Sequence, residues 1–154
     1  MVIYGKTIPN YLKQKKVIRT GNVTGQYAEW WVANKLNLKL AKIGEAGFDA
    51  TSQDGKNIKY QIKGRIFKTD TGGGDELGAV KNTTNKIFDY FVAVIFNPDF
   101  TVKVAIKIPY EVYIRHALKK DKNSTRLILN KTRIEKLLEE EGVKLISVKK
   151  NGSD

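Results

Sequence analysis

The stretch from Asn57 to Phe67 constrains the chain most, because its residues alternate with a period of two. Ile58, Tyr60, Ile62, Gly64 and Ile66 point one way, and Lys59, Gln61, Lys63 and Arg65 the other. That is a β-strand with one buried and one polar face. Asp54-Gly55 just before it marks a hairpin turn, which pairs it with a strand at Gly47–Thr51. Lys39–Ile43 reads as a further strand.

Downstream, Tyr90–Phe96 is an unbroken apolar run, and an Asn97-Pro98-Asp99 turn leads into the alternating Thr101–Ile108. Residues 68–86, polar and with three successive glycines at Gly72, Gly73 and Gly74, read as a mobile loop. Helices are expected at Thr24–Leu36, with Thr24 as N-cap, at Pro109–Lys119, and at Thr132–Glu141, stopped by Gly142. Short strands are expected at Arg126–Leu129 and Val143–Val148. Hairpins joined to a few helices imply an α/β fold, an α+β arrangement around a mixed sheet, rather than a doubly wound one. One domain spans 1–154, with a basic arm at 1–20 and a frayed tail at 149–154.

Composition narrows the function. With no cysteine, disulfides, thiolate nucleophiles and sulfur-ligated metals are excluded, and one histidine, His116, excludes a multi-histidine centre. No apolar run is long enough to span a membrane, and Lys6 and Pro9 disrupt any secretion signal, so a soluble cytoplasmic protein is expected. The 28 Lys and Arg against 16 Asp and Glu give +12, which suits a polyphosphate partner, DNA or RNA. There is neither a P-loop nor a dinucleotide fingerprint.

In the first helix Val32, Ala33 and Leu36 follow Glu29 at +3, +4 and +7, so its carboxylate shares an apolar face. A carboxylate there needs a cation, hydrogen bonds or a water-filled site. Tyr27 and Trp31 make a second apolar side, as burial against another protomer or a covering segment would. Asp49, between Phe48 and Ala50, is expected on the face opposite both. An odd hairpin loop sets Asp49 opposite Gln61, whereas a two-residue loop sets it opposite Tyr60. With the odd loop, the Glu29 and Asp49 carboxylates, the Gln61 amide oxygen and the Ile62 carbonyl can hold Mg²⁺, for which Mn²⁺ can substitute. Lys63 then stands beside the ion, and Arg65 and Lys59 on the same face can reach DNA phosphates.

Gly25-Gln26-Tyr27-Ala28-Glu29, Gly47-Phe48-Asp49 and Tyr60-Gln61-Ile62-Lys63 together resemble the PD-(D/E)XK nuclease superfamily, the fold of many restriction enzymes and junction resolvases. The resemblance covers roughly residues 21–108 and implies a restriction endonuclease-like core. It also implies a metal site built from Glu29, Asp49, Gln61 and Lys63. Phe48 stands where the family has proline, and Gln61 where it commonly has an acid, which leaves two carboxylates for the metal.

The implied activity is Mg²⁺-dependent endodeoxyribonuclease cleavage leaving a 5′-phosphate, in a site-specific restriction-type enzyme acting at least as a homodimer. Alternatives are a Holliday-junction or branched-DNA resolvase and a non-catalytic nucleic-acid binding protein. His116 and the Trp30-Trp31 pair read as structural. The basic run from Arg115 to Lys136 reads equally as a DNA-embracing edge or a solvated face.

Overall fold

The apolar run Tyr90–Phe96 lies at the centre of the molecule because it has no polar face to leave in water. Val92, Val94 and Phe96 enter one apolar cluster and Phe91, Ala93 and Ile95 another, on opposite faces of the sheet. The computed structural model describes residues 2–3, 6–45 and 47–148. The expected tail at 149–154 lies outside the described residues.

The chain begins with β1 (Val2–Ile3), β2 (Lys6–Thr7), α1 (Ile8–Gln14) and α2 (Val23–Leu36). It continues through β3 (Leu38–Leu40), β4 (Ala50–Ser52), β5 (Lys59–Ile66), β6 (Asp75–Glu76) and β7 (Val80–Lys81). Then come β8 (Tyr90–Phe96), β9 (Val102–Pro109), α3 (Tyr110–His116), β10 (Leu118–Asp121) and β11 (Ser124–Arg126). β12 (Ile128–Leu129), α4 (Lys131–Leu138) and β13 (Lys144–Leu145) complete it. The main sheet has six strands in the order β13-β9-β8-β5-β4-β3. β5 and β8 are parallel and the other pairs antiparallel, so the fold is a mixed-sheet α+β arrangement.

The alternation in β5 has the expected consequence. Tyr60 and Ile62 pack with Ala28 and Val32 of α2, while Gln61, Lys63 and Arg65 pair in register with Phe91, Ala93 and Ile95 on the other face. Gly64 lets α2 approach: a Cβ there would stand 2.6 Å from the Ala28 Cβ and 3.2 Å from the Thr24 carbonyl oxygen. Both apolar sides of α2 are covered within the chain, since Tyr27 packs on Phe96 and Phe100 and Trp31 joins the same cluster.

Several expectations need correction. The N-cap is Asn22, not Thr24: its side chain accepts a hydrogen bond from the Gly25 N–H, which starts α2 at Val23. The Lys39–Ile43 and Gly47–Thr51 strands shorten to β3 and β4, because the chain between them turns through Gly44 and Gly47, both with positive φ. Phe48 and Ala50 consequently enter different clusters and do not share a face.

Residues 68–86 are no free loop. Leu77 and Val80 are buried in the core, and the Asp75 carboxylate accepts from the Lys68 and Thr69 N–H groups. The expected helix to Lys119 stops at His116, because Leu118–Asp121 pairs with Ser124–Arg126 as a hairpin. The single strand expected at Arg126–Leu129 is two pieces, β11 on β7 and β12 on β6. The last helix starts one residue early, at Lys131, capped by Asn130, and ends at Leu138. The closing strand is only Lys144–Leu145. No described helix is long and apolar enough to cross a membrane.

Candidate active site

The hairpin between β4 and β5 determines what faces Gln61. Ala50 pairs with Tyr60 and Thr51 with Lys59, and the Ser52 N–H donates to the Ile58 carbonyl. The connection 53–57 therefore has an odd number of residues, with Gly55 and Asn57 at positive φ. Continuing that register brings Asp49 opposite Gln61.

Asp49 lies just beyond the end of β4, so its side chain takes over where the ladder stops. Its Oδ2 accepts from the Ile62 N–H at 2.7 Å and from Gln61 Nε2 at 2.8 Å. A strand residue presents its N–H and C=O to the same side. The Ile62 carbonyl thus lies on the strand edge that Asp49 faces. Gln61 is 8% exposed, and its amide nitrogen is spent on Asp49, which leaves its oxygen as the atom able to take a cation.

Glu29 arrives from the middle of α2. Arg19, in the segment leading into that helix, donates through Nη2 to Glu29 Oε2 (3.3 Å) and through Nη1 to the Ala41 carbonyl (2.7 Å). The Arg19 N–H binds Gln26 Oε1 at 2.9 Å, and Gln26 Nε2 makes a longer 3.5 Å contact with Glu29. Arg19, Gln26, Glu29, Ala41, Phe48 and Asp49 line a pocket of about 90 Å³. A wider pocket of about 360 Å³ on the Gln61 side is lined by Lys63, Gly47, Val80, Lys81 and Ile87, among others.

The electrostatics follow from this placement. Burial raises the Glu29 carboxyl from its ordinary 4.5 to about 7, and the Asp49 charge adds to that rise. Arg19 and Lys63 pull in the opposite direction. Burial also raises Asp49, against the Ile62 N–H and the positive charges of Lys63 and Arg19. Lys63 belongs to none of the ion pairs among the described residues. Its charge acts on both carboxylates through space, with the Gly78 backbone beside its side chain.

Asp49 thus links two groups: it shares its pocket with Glu29, and it is bonded to Gln61 and Ile62, while Gln61 and Lys63 line the wider pocket. Lys59 and Arg65 stand apart. Lys59 Nζ lies over the Phe48 ring at 5.1 Å, and Arg65 lines a separate pocket with Thr24 and Lys68, its Nε buried without a hydrogen-bond partner. No group of three or more His, Cys, Asp or Glu side chains suited to a metal occurs among the described residues, a consequence of glutamine at position 61. The remaining donors suit a hard divalent cation. Two carboxylates, of which Asp49 opposes the ionisation of Glu29, plus amide and carbonyl oxygens, are ligand types that Mg²⁺ takes, since it binds few protein ligands and keeps its waters.

The sequence reading missed Arg19, placing it only in the basic arm. Its signal was its type: only five of the 28 basic residues are arginine, and Arg19, Arg115 and Arg126 each pair with a carboxylate. His116 lies outside both pockets and bonds Glu140 at 3.1 Å. No protein-family model and no curated protein matches the chain.

Proposed function

We propose that the chain is a Mg²⁺-dependent endodeoxyribonuclease of the PD-(D/E)XK type, acting on duplex DNA in the cytoplasm. The observation that carries this is the meeting of Glu29, Asp49, Gln61 and an ion-pair-free Lys63 at the end of one hairpin, on a chain of net charge +12.

In this reading Glu29, Asp49, the Gln61 oxygen and the Ile62 carbonyl hold the cation. Bound there, Mg²⁺ supplies Lewis-acid polarisation of a phosphoryl oxygen and a bound water of lowered pKa. The chain's own groups do the rest. The Gln61 amide and the Ile62 N–H fix one Asp49 oxygen, which orients the carboxylate before substrate arrives. Arg19 holds Glu29 toward the pocket. The Lys63 ammonium offers positive charge where a phosphate in the wider pocket would gain negative charge. With one site per chain, cutting both strands calls for at least a homodimer.

A branched-DNA resolvase would use the same groups. The want of a third acid favours, as a second reading, a nucleic-acid binding protein without catalysis. Incubation with supercoiled, linear and branched DNA in Mg²⁺, Mn²⁺ or EDTA separates these. Cleavage is expected with either metal and not in EDTA. Asp49→Ala and Lys63→Ala should each abolish it and leave DNA binding within a few-fold of wild type. Binding without cleavage of any substrate by the wild-type protein would establish the second reading instead.

A further inference from the structure

The hairpin β10–β11 has no role in the site just described, and its composition is unusual for a structural element. Leu118, Lys119, Lys120 and Asp121 of β10 are all exposed, so the strand contributes nothing to the core. An isolated two-stranded hairpin is marginally stable in water. This one is held along β11, which pairs with β7, and at its turn. The Asn82 N–H donates to the Asn123 carbonyl at 2.7 Å, and Thr125 Oγ1 bonds Thr83 Oγ1 (3.2 Å) and the buried Tyr113 hydroxyl (3.0 Å). β11 faces the protein, with Ser124 buried, so the anchored sheet presents β10 as a fully exposed outer strand, and that strand points to an external partner.

Its charges indicate which. The acidic groups are already committed: Asp121 accepts from the Asn123 N–H in the turn, and Glu76 is flanked by Arg126 at 3.2 Å and Lys120 at 3.8 Å. Lys81, Lys119 and Lys122 are exposed and belong to none of the ion pairs among the described residues. The three-stranded sheet runs β10-β11-β7, and Lys81 of β7 lines the same pocket as Lys63 and Gln61. The sheet therefore carries ion-pair-free lysines at both edges: Lys81 on β7 at the lip of the candidate active site, and Lys119 on the outer strand β10 with Lys122 in the turn beside it.

We infer that this sheet is a docking surface for duplex DNA, along which the substrate lies on the Lys63 side of the site. The inference rests on the nucleic-acid reading above and adds where the duplex runs. A two-stranded ribbon fits the width of the major groove, and lysines on its rim meet the phosphates that border it.

The test compares two variants of equal charge, both checked for an unchanged thermal melt. One is Lys81→Gln, Lys119→Gln and Lys122→Gln together. The other changes exposed lysines on the six-stranded main sheet: Lys39→Gln, Lys103→Gln and Lys144→Gln. Fluorescence anisotropy with a short DNA duplex in EDTA, at several salt concentrations, reads the affinity and its salt slope. The ribbon variant should lose about 10-fold or more in affinity, with a log–log salt slope shallower by about 2 to 3, roughly one per lost phosphate contact. The main-sheet variant should keep the wild-type slope. Equal losses in the two variants, or no loss in the ribbon variant, would overturn the ribbon as the docking surface and leave DNA binding standing. A wild-type protein that binds no DNA overturns the ribbon and the nucleic-acid reading together. If the ribbon variant loses affinity for an RNA duplex alone, the partner is wrongly assigned.

Discussion

Glu29 changes charge in the neutral range because burial and Asp49 both oppose its ionisation. Its carboxyl titrates at about 7 in the fold, above its ordinary 4.5, so the native chain holds a proton that the unfolded chain has released. Stability in EDTA should therefore fall as pH rises through that window, and the charge of Glu29 costs most above it. Glu29→Gln does not titrate, so its melting temperature relative to wild type should climb between about pH 5 and about pH 8. Calorimetry at both ends reads this; a constant difference would mean that Glu29 is not perturbed. Gln61 offers a second case. Its amide donates to Asp49, so Gln61→Glu replaces a donor with a like charge at the same 2.8 Å contact. In EDTA this variant should lose about 1.5–3 kcal/mol, the scale of a hydrogen bond to a charged group. Added Mg²⁺ should then raise its melting temperature more than it raises that of wild type. Equal Mg²⁺ shifts in the two proteins would remove residue 61 from the ligand set.

Among the elements, the contact between α2 and β5 places Glu29 near Asp49 and Lys63. It depends on Gly64, where a methyl group would overlap the Ala28 Cβ at 2.6 Å. Gly64→Ala should destabilise by about 1–3 kcal/mol, as overpacking does, and should displace the Glu29 carboxylate as the helix lifts. Adding Ala28→Gly should recover part of the loss despite the helix cost of glycine, so a double-mutant cycle by denaturant titration should show favourable coupling. Gly73→Ala is the control. It meets nothing within 4 Å and its φ is not positive, so it should change stability by no more than about 0.5 kcal/mol. Elements also explain which boundaries could be read in advance. β5, β8 and β9 were legible from periodicity because each follows one rule along its length, alternating or wholly apolar. The segment 68–86 was not, because Asp75, Leu77 and Val80 are held by partners such as Leu127, fifty residues onward.

For the whole molecule, the apolar sides of α2 do not demand a partner subunit, since Phe96 and Phe100 already cover Tyr27. A dimer follows instead from the proposed cleavage of both strands, because one site cannot cut two strands at once. Ile43, Leu145 and Val148 are exposed apolar side chains available to such an interface. Light scattering at micromolar concentration should give at least twice the chain mass. A species of single-chain mass, with and without DNA, would leave a nicking enzyme or a binding protein.

The sequence by itself determined the mixed sheet and the polar face of β5, and it grouped Glu29, Asp49, Gln61 and Lys63 only on condition of an odd hairpin loop. Periodicity and turn residues are local, and burial follows from them wherever an element keeps one pattern. Only the tertiary structure decided that the hairpin loop is odd and that Arg19 is the counter-charge of Glu29. It alone decided, too, that Leu118–Asp121 leaves the helix to form an exposed basic ribbon. Each of these depends on which of several nearby backbone groups and charges actually pair, and neither composition nor spacing carries that information.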